Sequence, residues 1–227
     1  MNPVILYRAS IHDENEIKAI KDNFKMITQR SDIQKDDLVI CRYSCLPFFQ
    51  ELENDVINVG GKLLNSYTQH QYVANLKNWY EDLKDLTAPT WFVPSEVPKN
   101  EAPFVLKGET NSKKFLWDTH MFAETWEDMV LVYCNLQNDG LIGSQDICVR
   151  KYVPLYTYFN SLHGLPITKE FRFFVAYKQI IGGGFYWSSM IEDLKYKGFS
   201  IPNIEGVPKN LLNEIIDKID NKINFYA

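Results

Sequence analysis

The first ninety residues carry apolar and polar positions at spacings that alternate between those of strands and those of helices. A short apolar run at 4–7 predicts a buried strand, and apolar residues recur at helical spacing after Ser10, a residue type that caps helices. The run DLVICRY at 37–43 predicts a second buried strand, and a helix follows at about 47–56 before a Gly-Gly break. This order is typical of a βαβ unit.

The pattern changes after a proline-rich segment at 89–103, which holds four prolines and is the clearest boundary in the chain. Beyond it the spacing predicts a strand, a helix, a strand, a hairpin and an amphipathic helix. These elements are expected at 104–107, about 124–136, 146–153, 170–187 with a turn near Lys178-Gln179, and from Pro208 onward.

Composition and charge narrow the class of protein. With 227 residues, 45% of them hydrophobic, the chain can bury a sizeable core, and its formal charge of −5 argues against a surface built to hold nucleic acid. No apolar run is long enough to span a membrane and no basic segment opens the chain, so neither an anchor nor a signal peptide is expected. The cysteines form no CxxC pair, which predicts reduced, mostly buried thiols and a cytoplasmic protein; they are Cys41, Cys45, Cys134 and Cys148.

A lysine ends the first strand after the proline-rich segment, FVLKG at 104–108. Strict alternation places Lys107 on the face of Val105, opposite the two most apolar residues of the strand. The following GETNSKKFLW offers hydroxyl and amide groups together with Lys113 and Lys114, a set suited to phosphate oxygens. Lys107 is therefore either a solvated surface charge or a phosphate ligand.

The strand DICVRKYVPL at 146–155 carries two adjacent cations, Arg150 and Lys151, within an apolar majority. Such charges require partners or a cleft, unless the strand is an edge strand that charge protects from aggregation. In EFRFFVAYKQIIGGGFYW at 170–187, Glu170 and Arg172 share one face, where they can either pair with each other or line a cleft. The triple glycine at 182–184 opens no helix, so it predicts close backbone approach rather than a phosphate loop.

Taken in order, FVLKG, NSKK, VRKYVPL, EFRFF and FYW resemble the ATP-grasp superfamily, and most of all its clade, common in bacteriophages, that is named for one arginine and two lysines. CRYSCLPFFQELE and LLNSYTQHQYVANLKNWY extend the resemblance over nearly the whole chain. It implies an α/β (α+β) protein with a βαβ-type pre-ATP-grasp domain at 1–90. The ATP-grasp small subdomain with its lysine loop would follow at 91–150, and an incomplete large subdomain at 151–227.

The resemblance also implies a role for each matching residue. Lys107 would contact the α- and β-phosphates of ATP, and Glu170 would take the ribose hydroxyls. Lys113 and Lys114 would lie in a flexible loop that closes over the nucleotide. The adenine would bind to backbone groups at an interdomain hinge formed by Lys151, Tyr152 and Val153.

Arg150 and Arg172 are, by the same resemblance, the candidates for the γ-phosphate or the acceptor carboxylate. Lys151 departs from the family, whose hinge carries an acidic residue after the arginine. The superfamily binds Mg²⁺ through an aspartate and a Glu-x-Asn pair on strands after the last helix, whereas this chain stops at INFYA. The chain is therefore interpreted either as a truncated enzyme with metal ligands beyond residue 227, or as a degenerate nucleotide binder.

Three functions remain open at this stage. The leading hypothesis is an ATP-dependent carboxylate-amine or carboxylate-thiol ligase that forms an acyl phosphate and releases ADP and phosphate, acting on small-molecule or peptide substrates. A binding or interaction module without catalysis is the second, and a nucleotidyltransferase adenylated on Lys107 is the third, although KGET lacks the KxDG motif. The histidines show no metal-ligand spacing, and His70 is interpreted as a histidine on a helix surface.

Overall fold

The structure is a computed structural model that describes residues 1–8, 14–42, 48–219, 222–223 and 225–226 of the 227-residue chain. The chain packs into two compact units, Met1–Gln71 and Tyr72–Ala227. The division into domains at 1–90, 91–150 and 151–227 stays a prediction. The expected helix cap at Ser10 lies outside the described residues.

The first unit is built on a four-stranded parallel sheet in the order β2-β1-β3-β4. Its strands are β1 (Asn2–Tyr7), β2 (Lys25–Ile27), β3 (Asp37–Arg42) and β4 (Lys62–Leu64). Its helices are α1 (Glu14–Asn23), α2 (Phe49–Asn58) and α3 (Tyr67–Ala74). Helix α1 connects the parallel strands β1 and β2 along the chain, and α2 connects β3 and β4, which confirms the predicted βαβ pattern.

Both faces of β1 are buried, which explains why it reads as a continuous apolar run rather than an alternating one. Val4 and Leu6 pack into the cluster that holds Leu52 of α2, whereas Ile5 packs on the opposite face with Ile20 of α1. His70 of α3 is half-buried and stacks on Phe49, with ring centroids 3.9 Å apart and an interplanar angle of 7°. The interpretation of His70 as a surface histidine is therefore wrong.

The second unit begins with an antiparallel sheet in the order β5-β8-β6-β7. The strands are β5 (Thr90–Trp91), β6 (Phe104–Gly108), β7 (Phe122–Ala123) and β8 (Ile147–Lys151). The helices of this part are α4 (Leu76–Leu83), α5 (Trp117–His120) and α6 (Trp126–Gln137). Because β8 lies between β5 and β6, the alternative that its charges protect an edge strand is wrong.

One face of this sheet packs against α6 and forms the core. Phe104 and Leu106 of β6 are fully buried there beside Met129 and Leu136 of α6. Thr125 caps α6 in a capping box with Asp128, which fixes where the helix begins. The other face of β6, which carries Val105 and Lys107, points away from this core, as the alternation predicted.

The remaining elements form two small antiparallel sheets and two helices. They are β9 (Thr157–Asn160) with β10 (Pro166–Thr168); β11 (Phe171–Ala176), β12 (Gln179–Phe185) and β13 (Phe225–Tyr226) in the order β12-β11-β13; and α7 (Ile191–Tyr196) and α8 (Lys209–Ile219). The hairpin β11-β12 turns at Tyr177 and Lys178, which have φ values of 47° and 67°, so the predicted hairpin is confirmed. A Cβ on Gly183 would lie 2.6 Å from Phe173, so the triple glycine does permit a close approach.

Two further expectations concern the membrane and the cysteines. None of the helices in the described part of the chain is long and apolar enough to cross a membrane. Cys148 is buried, Cys41 is half-buried and Cys134 is exposed on the solvent face of α6. The expectation of a buried thiol is thus wrong for Cys134, and Cys45 lies outside the described residues.

Candidate functional site

A cavity of about 360 Å³ in the second unit collects most of the predicted site residues. Its walls come from β6, β8, the segment after β8, the end of β10 and Trp187. The predicted residues that line it are Lys107, Lys114, Arg150, Lys151, Tyr152, Val153 and Glu170. The volume lies within the range typical of small-molecule sites.

Lys107 and Arg150 supply two half-buried positive charges on one face of the sheet. In the β6–β8 register Val105 lies opposite Arg150 and Lys107 lies opposite Cys148, so the two cations are diagonal neighbours. Burial lowers the pKa of Lys107, and the positive charge of Arg150 lowers this pKa further. Burial also lowers the pKa of Arg150.

Arg150 is held by hydroxyl groups rather than by a carboxylate. Its Nε donates to Thr90 Oγ1 at 3.1 Å and its Nη2 donates to Thr87 Oγ1 at 2.6 Å. Within the described residues, neither Arg150 nor Lys107 forms an ion pair with an acidic side chain. Half-buried cations without acidic partners among the described residues favour an anion in the cavity, because a charge that is partly removed from water is costly without a counter-charge.

The loop after β6 holds its two lysines in different ways. Lys114 faces the cavity, where its Nζ donates to Tyr186 Oη at 2.6 Å and lies 4.9 Å from the ring centroid of Trp187. Lys113 instead forms an ion pair with Asp139 at 2.7 Å, away from the lining of the cavity. The predicted contact of Lys113 with a nucleotide therefore stays a prediction that would require this ion pair to open.

The residues at and after the end of β8 line the cavity, but two of their backbone amides already donate hydrogen bonds within the protein. The amide of Lys151 donates to Pro89 O at 2.9 Å, and the amide of Tyr152 donates to Pro103 O at 2.8 Å. Val153 N has no acceptor among the residues that the structure describes. The side chain of Lys151, which replaces an acidic residue of the family pattern, forms an ion pair with Glu101.

Glu170 is fixed at the opposite wall by two donors. Trp187 Nε1 donates to Glu170 Oε2 at 2.9 Å, and Thr168 Oγ1 donates to the same oxygen. Oε1 of this carboxylate accepts no hydrogen bond from any described residue. Glu170 and Arg172 do not form an ion pair, so this alternative for the charged face of β11 is wrong.

Arg172 lies outside the cavity lining, with its guanidinium 4.6 Å from the ring centroid of Tyr186. Tyr186 thus contacts both Lys114 and Arg172, and Trp187 orients Glu170. Sequence reasoning gave no role to Tyr186, Trp187 or Thr168. The aromatic pair directly after β12 was the available signal.

No described group of three or more His, Cys, Asp or Glu side chains is arranged to hold a metal ion. Glu170 is the only carboxylate among the described residues that line the cavity, and it already accepts hydrogen bonds from Trp187 and Thr168. The described residues by themselves do not fit a magnesium site. The expected magnesium ligands stay a prediction.

Neither a family model nor a curated protein matches the chain by sequence. Solved structures do match it. The structure of an ATP-grasp RimK domain protein from Sphaerobacter thermophilus DSM 20745 gives a TM-score of 0.59 at 13% identity over 96% of this chain and 82% of that one. These comparisons and the sheet order show that the chain has the fold of ATP-grasp ligases, as the sequence predicted.

The ATP-grasp ligase PsnB has the same fold in two further structures. PsnB complexed with minimal precursor, Mg and ADP gives a TM-score of 0.55 at 8% identity, over 98% of this chain and 82% of that one. PsnB complexed with the precursor peptide PsnA2 and AMPPNP gives 0.53 at 9% identity, over 99% and 81%. The bacteriophage-associated clade stays a prediction.

Proposed function

We propose that this chain is an ATP-dependent ligase that joins a carboxylate to an amine or a thiol through an acyl phosphate. One observation carries the proposal: Lys107 and Arg150 are half-buried in one cavity without an acidic partner among the described residues, while Glu170 lines the same cavity and accepts hydrogen bonds from described residues at only one of its two oxygens. A ligand with an anionic end and a hydroxylated end complements this arrangement, and ATP has both.

ATP fits the cavity in one direction. Val153 N is available to an adenine nitrogen, and Glu170 Oε1 can accept from the ribose hydroxyls. The phosphates would then lie toward Lys107, Lys114 and Arg150, where charge-assisted hydrogen bonds replace water. Arg172, beside Tyr186, is the proposed contact of the γ-phosphate.

The chemistry requires no protein nucleophile. A carboxylate oxygen of the substrate attacks the γ-phosphorus, the bond to the β-phosphate oxygen breaks, and ADP leaves. An amine or thiol then attacks the acyl carbon and loses a proton to solvent. The bond between the acyl carbon and the phosphate oxygen breaks, and phosphate leaves with the electron pair. The cations lower the repulsion between two anions and hold them in line. Mg²⁺ would accompany ATP as its usual partner.

The substrate class and the setting are also proposals. PsnB, which shares the fold, has a structure in complex with a precursor peptide. By analogy with PsnB, we propose that the acceptor of this chain is a small-molecule or peptide carboxylate. The cytoplasm, which would be that of the host if the protein is encoded by a bacteriophage, is the proposed location.

The test is the product formed from ATP by the full chain with Mg²⁺ and a mixture of amino acids and cell extract. ³¹P NMR should show ADP and phosphate, and the signals should be lost in Lys107→Ala but kept in Lys77→Ala. Lys77 is exposed, pairs with Asp146 at 3.1 Å and lies outside the cavity. AMP with pyrophosphate would contradict the acyl-phosphate route. ATP binding without any turnover would favour a nucleotide-binding module instead.

The lowered pKa of Lys107 favours one alternative, a nucleotidyltransferase in which this lysine is adenylated. A neutral amine is the form that attacks the α-phosphate, and burial increases its population. Intact-mass spectrometry after incubation with ATP distinguishes the two mechanisms. The ligase proposal expects an unchanged protein mass, whereas an increase by one adenylate would establish the alternative.

A further inference from the structure

A second cavity, of about 450 Å³, lies within the same unit on the other side of β11. Helices α4 and α8 form two of its walls, and strands β11 and β12 form another. The side chains that line it are predominantly aliphatic and aromatic, among them Leu76, Trp79, Phe171, Phe173, Val175 and Ile216. Of the described lining residues, Lys107 is the only charged one.

Lys107 lines both cavities. It therefore marks the place where the cationic cavity and the apolar cavity approach each other. Its ammonium group carries three donors, so it can hydrogen bond to a phosphate oxygen and to a second anion at the same time.

Strand β11 separates a polar side from an apolar side. Phe171, Phe173 and Val175 line the apolar cavity, whereas Glu170 and Arg172 alternate with them and belong to the opposite face. An apolar cavity of this size with one cationic residue in its lining complements an amphiphile that has an anionic head and an apolar body. An amine head would be repelled by Lys107, whereas a carboxylate can form a charge-assisted hydrogen bond with it.

We propose that the apolar cavity holds the hydrocarbon part of the carboxylic acid substrate, with its carboxylate at Lys107. This inference rests on the proposed ligase function, because the bound acid is a substrate only if the chain is a ligase. Binding of the acid itself does not require ATP. It names the acceptor class as hydrophobic carboxylic acids, either free or as an apolar acidic terminus of a larger molecule. The carboxylate would then lie beside the ATP phosphates that Lys107 also contacts.

Straight-chain carboxylates are the direct probe. Isothermal titration calorimetry of the full chain with butyrate, hexanoate and octanoate should show affinity that rises about fourfold for each added methylene group. Octylamine, which has the same chain length and the opposite charge, should bind at least tenfold more weakly than octanoate. Equal affinity for octanoate and octylamine, or no dependence on chain length, would overturn the proposal.

Two neighbouring isoleucines provide a matched pair of variants. Ile180 lines the cavity and Ile181 does not, and both are exposed on β12, by 39% and 58%. Ile180→Trp should fill part of the cavity and weaken octanoate binding at least tenfold, while Ile181→Trp should leave it within twofold. Because both positions are exposed, both variants should keep the far-ultraviolet circular dichroism of the parent. Equal effects of the two substitutions would overturn the assignment.

The same samples separate this inference from the proposed function. ATP affinity, measured in parallel, should be unchanged by Ile180→Trp, since Ile180 does not line the ATP cavity. Octanoate binding without ATP binding would sink the ligase proposal and leave the apolar site standing. ATP binding without octanoate binding would overturn the apolar carboxylate site and leave the ligase proposal standing. If gel filtration showed a dimer that Ile180→Trp dissociates, a second copy of the chain would be the occupant and the carboxylate proposal would be wrong.

Discussion

Lys107 and Arg150 extend from neighbouring strands into the same cavity as diagonal neighbours of the β6–β8 register, and no acidic side chain in the described part of the chain pairs with either. Burial, and after it the positive charge of Arg150, lowers the pKa of Lys107. Such a pair is stabilised by an anion that enters from solution. The cavity is therefore arranged for ligand binding at some cost to the stability of the unliganded protein.

Replacing Lys107 by Ala should weaken ATP binding about 10- to 100-fold, because it removes a charge-assisted hydrogen bond worth about 1.5–3 kcal/mol. Fluorescence titration with a labelled ATP analogue measures the change. Lys77→Ala, on the exposed start of α4, is the control and should bind like the parent. Parent-like binding by Lys107→Ala would show that Lys107 does not contact the phosphates.

Arg150→Met should separate stability from binding. The substitution removes a half-buried charge that donates hydrogen bonds to two threonine hydroxyls but has no acidic partner among the described residues. The free energy of unfolding should therefore stay the same or rise by up to about 2 kcal/mol. ATP affinity should nevertheless fall at least tenfold. Urea unfolding and ATP titration of the same preparation test both statements. A variant that is strongly destabilised would show that Arg150 is mainly structural.

Glu170→Gln should reduce the preference for ribose hydroxyls. The parent should bind ATP about tenfold more tightly than 2′,3′-dideoxy-ATP, since the carboxylate accepts hydrogen bonds from the hydroxyls. In the variant this ratio should approach one, mainly through weaker binding of ATP. Glu192→Gln, at an exposed residue of α7 that pairs with Lys195, should keep the ratio of the parent. An unchanged ratio in Glu170→Gln would remove Glu170 from the ribose site.

Lys113→Met should reduce the free energy of unfolding near neutral pH, because it removes the ion pair with Asp139, and it should leave ATP affinity unchanged. The hydrogen bond from Lys113, followed by those from the amides of Ile142 and Leu141, lowers the pKa of Asp139 to about 2. A carboxyl group with a lowered folded-state pKa stabilises the fold above its ordinary value of 3.8, and this contribution is lost as the pH falls toward 2. The parent should therefore lose stability over this range more steeply than Lys113→Met in acid unfolding followed by circular dichroism.

ATP titration of Lys113→Met supplies the second half of that test. Affinity within twofold of the parent would mean that Lys113 is a structural partner of Asp139. A tenfold loss would instead support the predicted closure of the loop over the nucleotide.

His70 should make the first unit sensitive to mild acid. Burial lowers its pKa below 6.5, and its Nε2 has no acceptor among the described residues. The unfolded chain then takes up the proton first, so the free energy of unfolding should decrease as the pH falls from 7 to 5. His70→Phe, which can keep the stacking on Phe49, should flatten this dependence in urea unfolding followed by circular dichroism. An equally steep dependence in the variant would exclude His70 as its origin.

Local pattern by itself determined much of this protein. The alternation in FVLKG assigned Lys107 to the face opposite Phe104, because successive side chains of a strand point to opposite faces. The continuous apolar run of β1 and the helical spacing after it predicted a βαβ unit. The resemblance of the ordered motifs predicted the ATP-grasp fold, and most of the site residues that it implied do line the cavity.

The tertiary structure decided what local pattern cannot encode, namely which distant residues meet. Only the tertiary structure shows that β8 is central, that Lys113 pairs with Asp139 rather than facing the cavity, and that Trp187 orients Glu170. Each of these contacts joins residues separated by many positions, and their energy depends on packing and burial rather than on spacing. The sequence alone therefore predicted the elements and the chemistry, while the partners of each charge came from the folded chain.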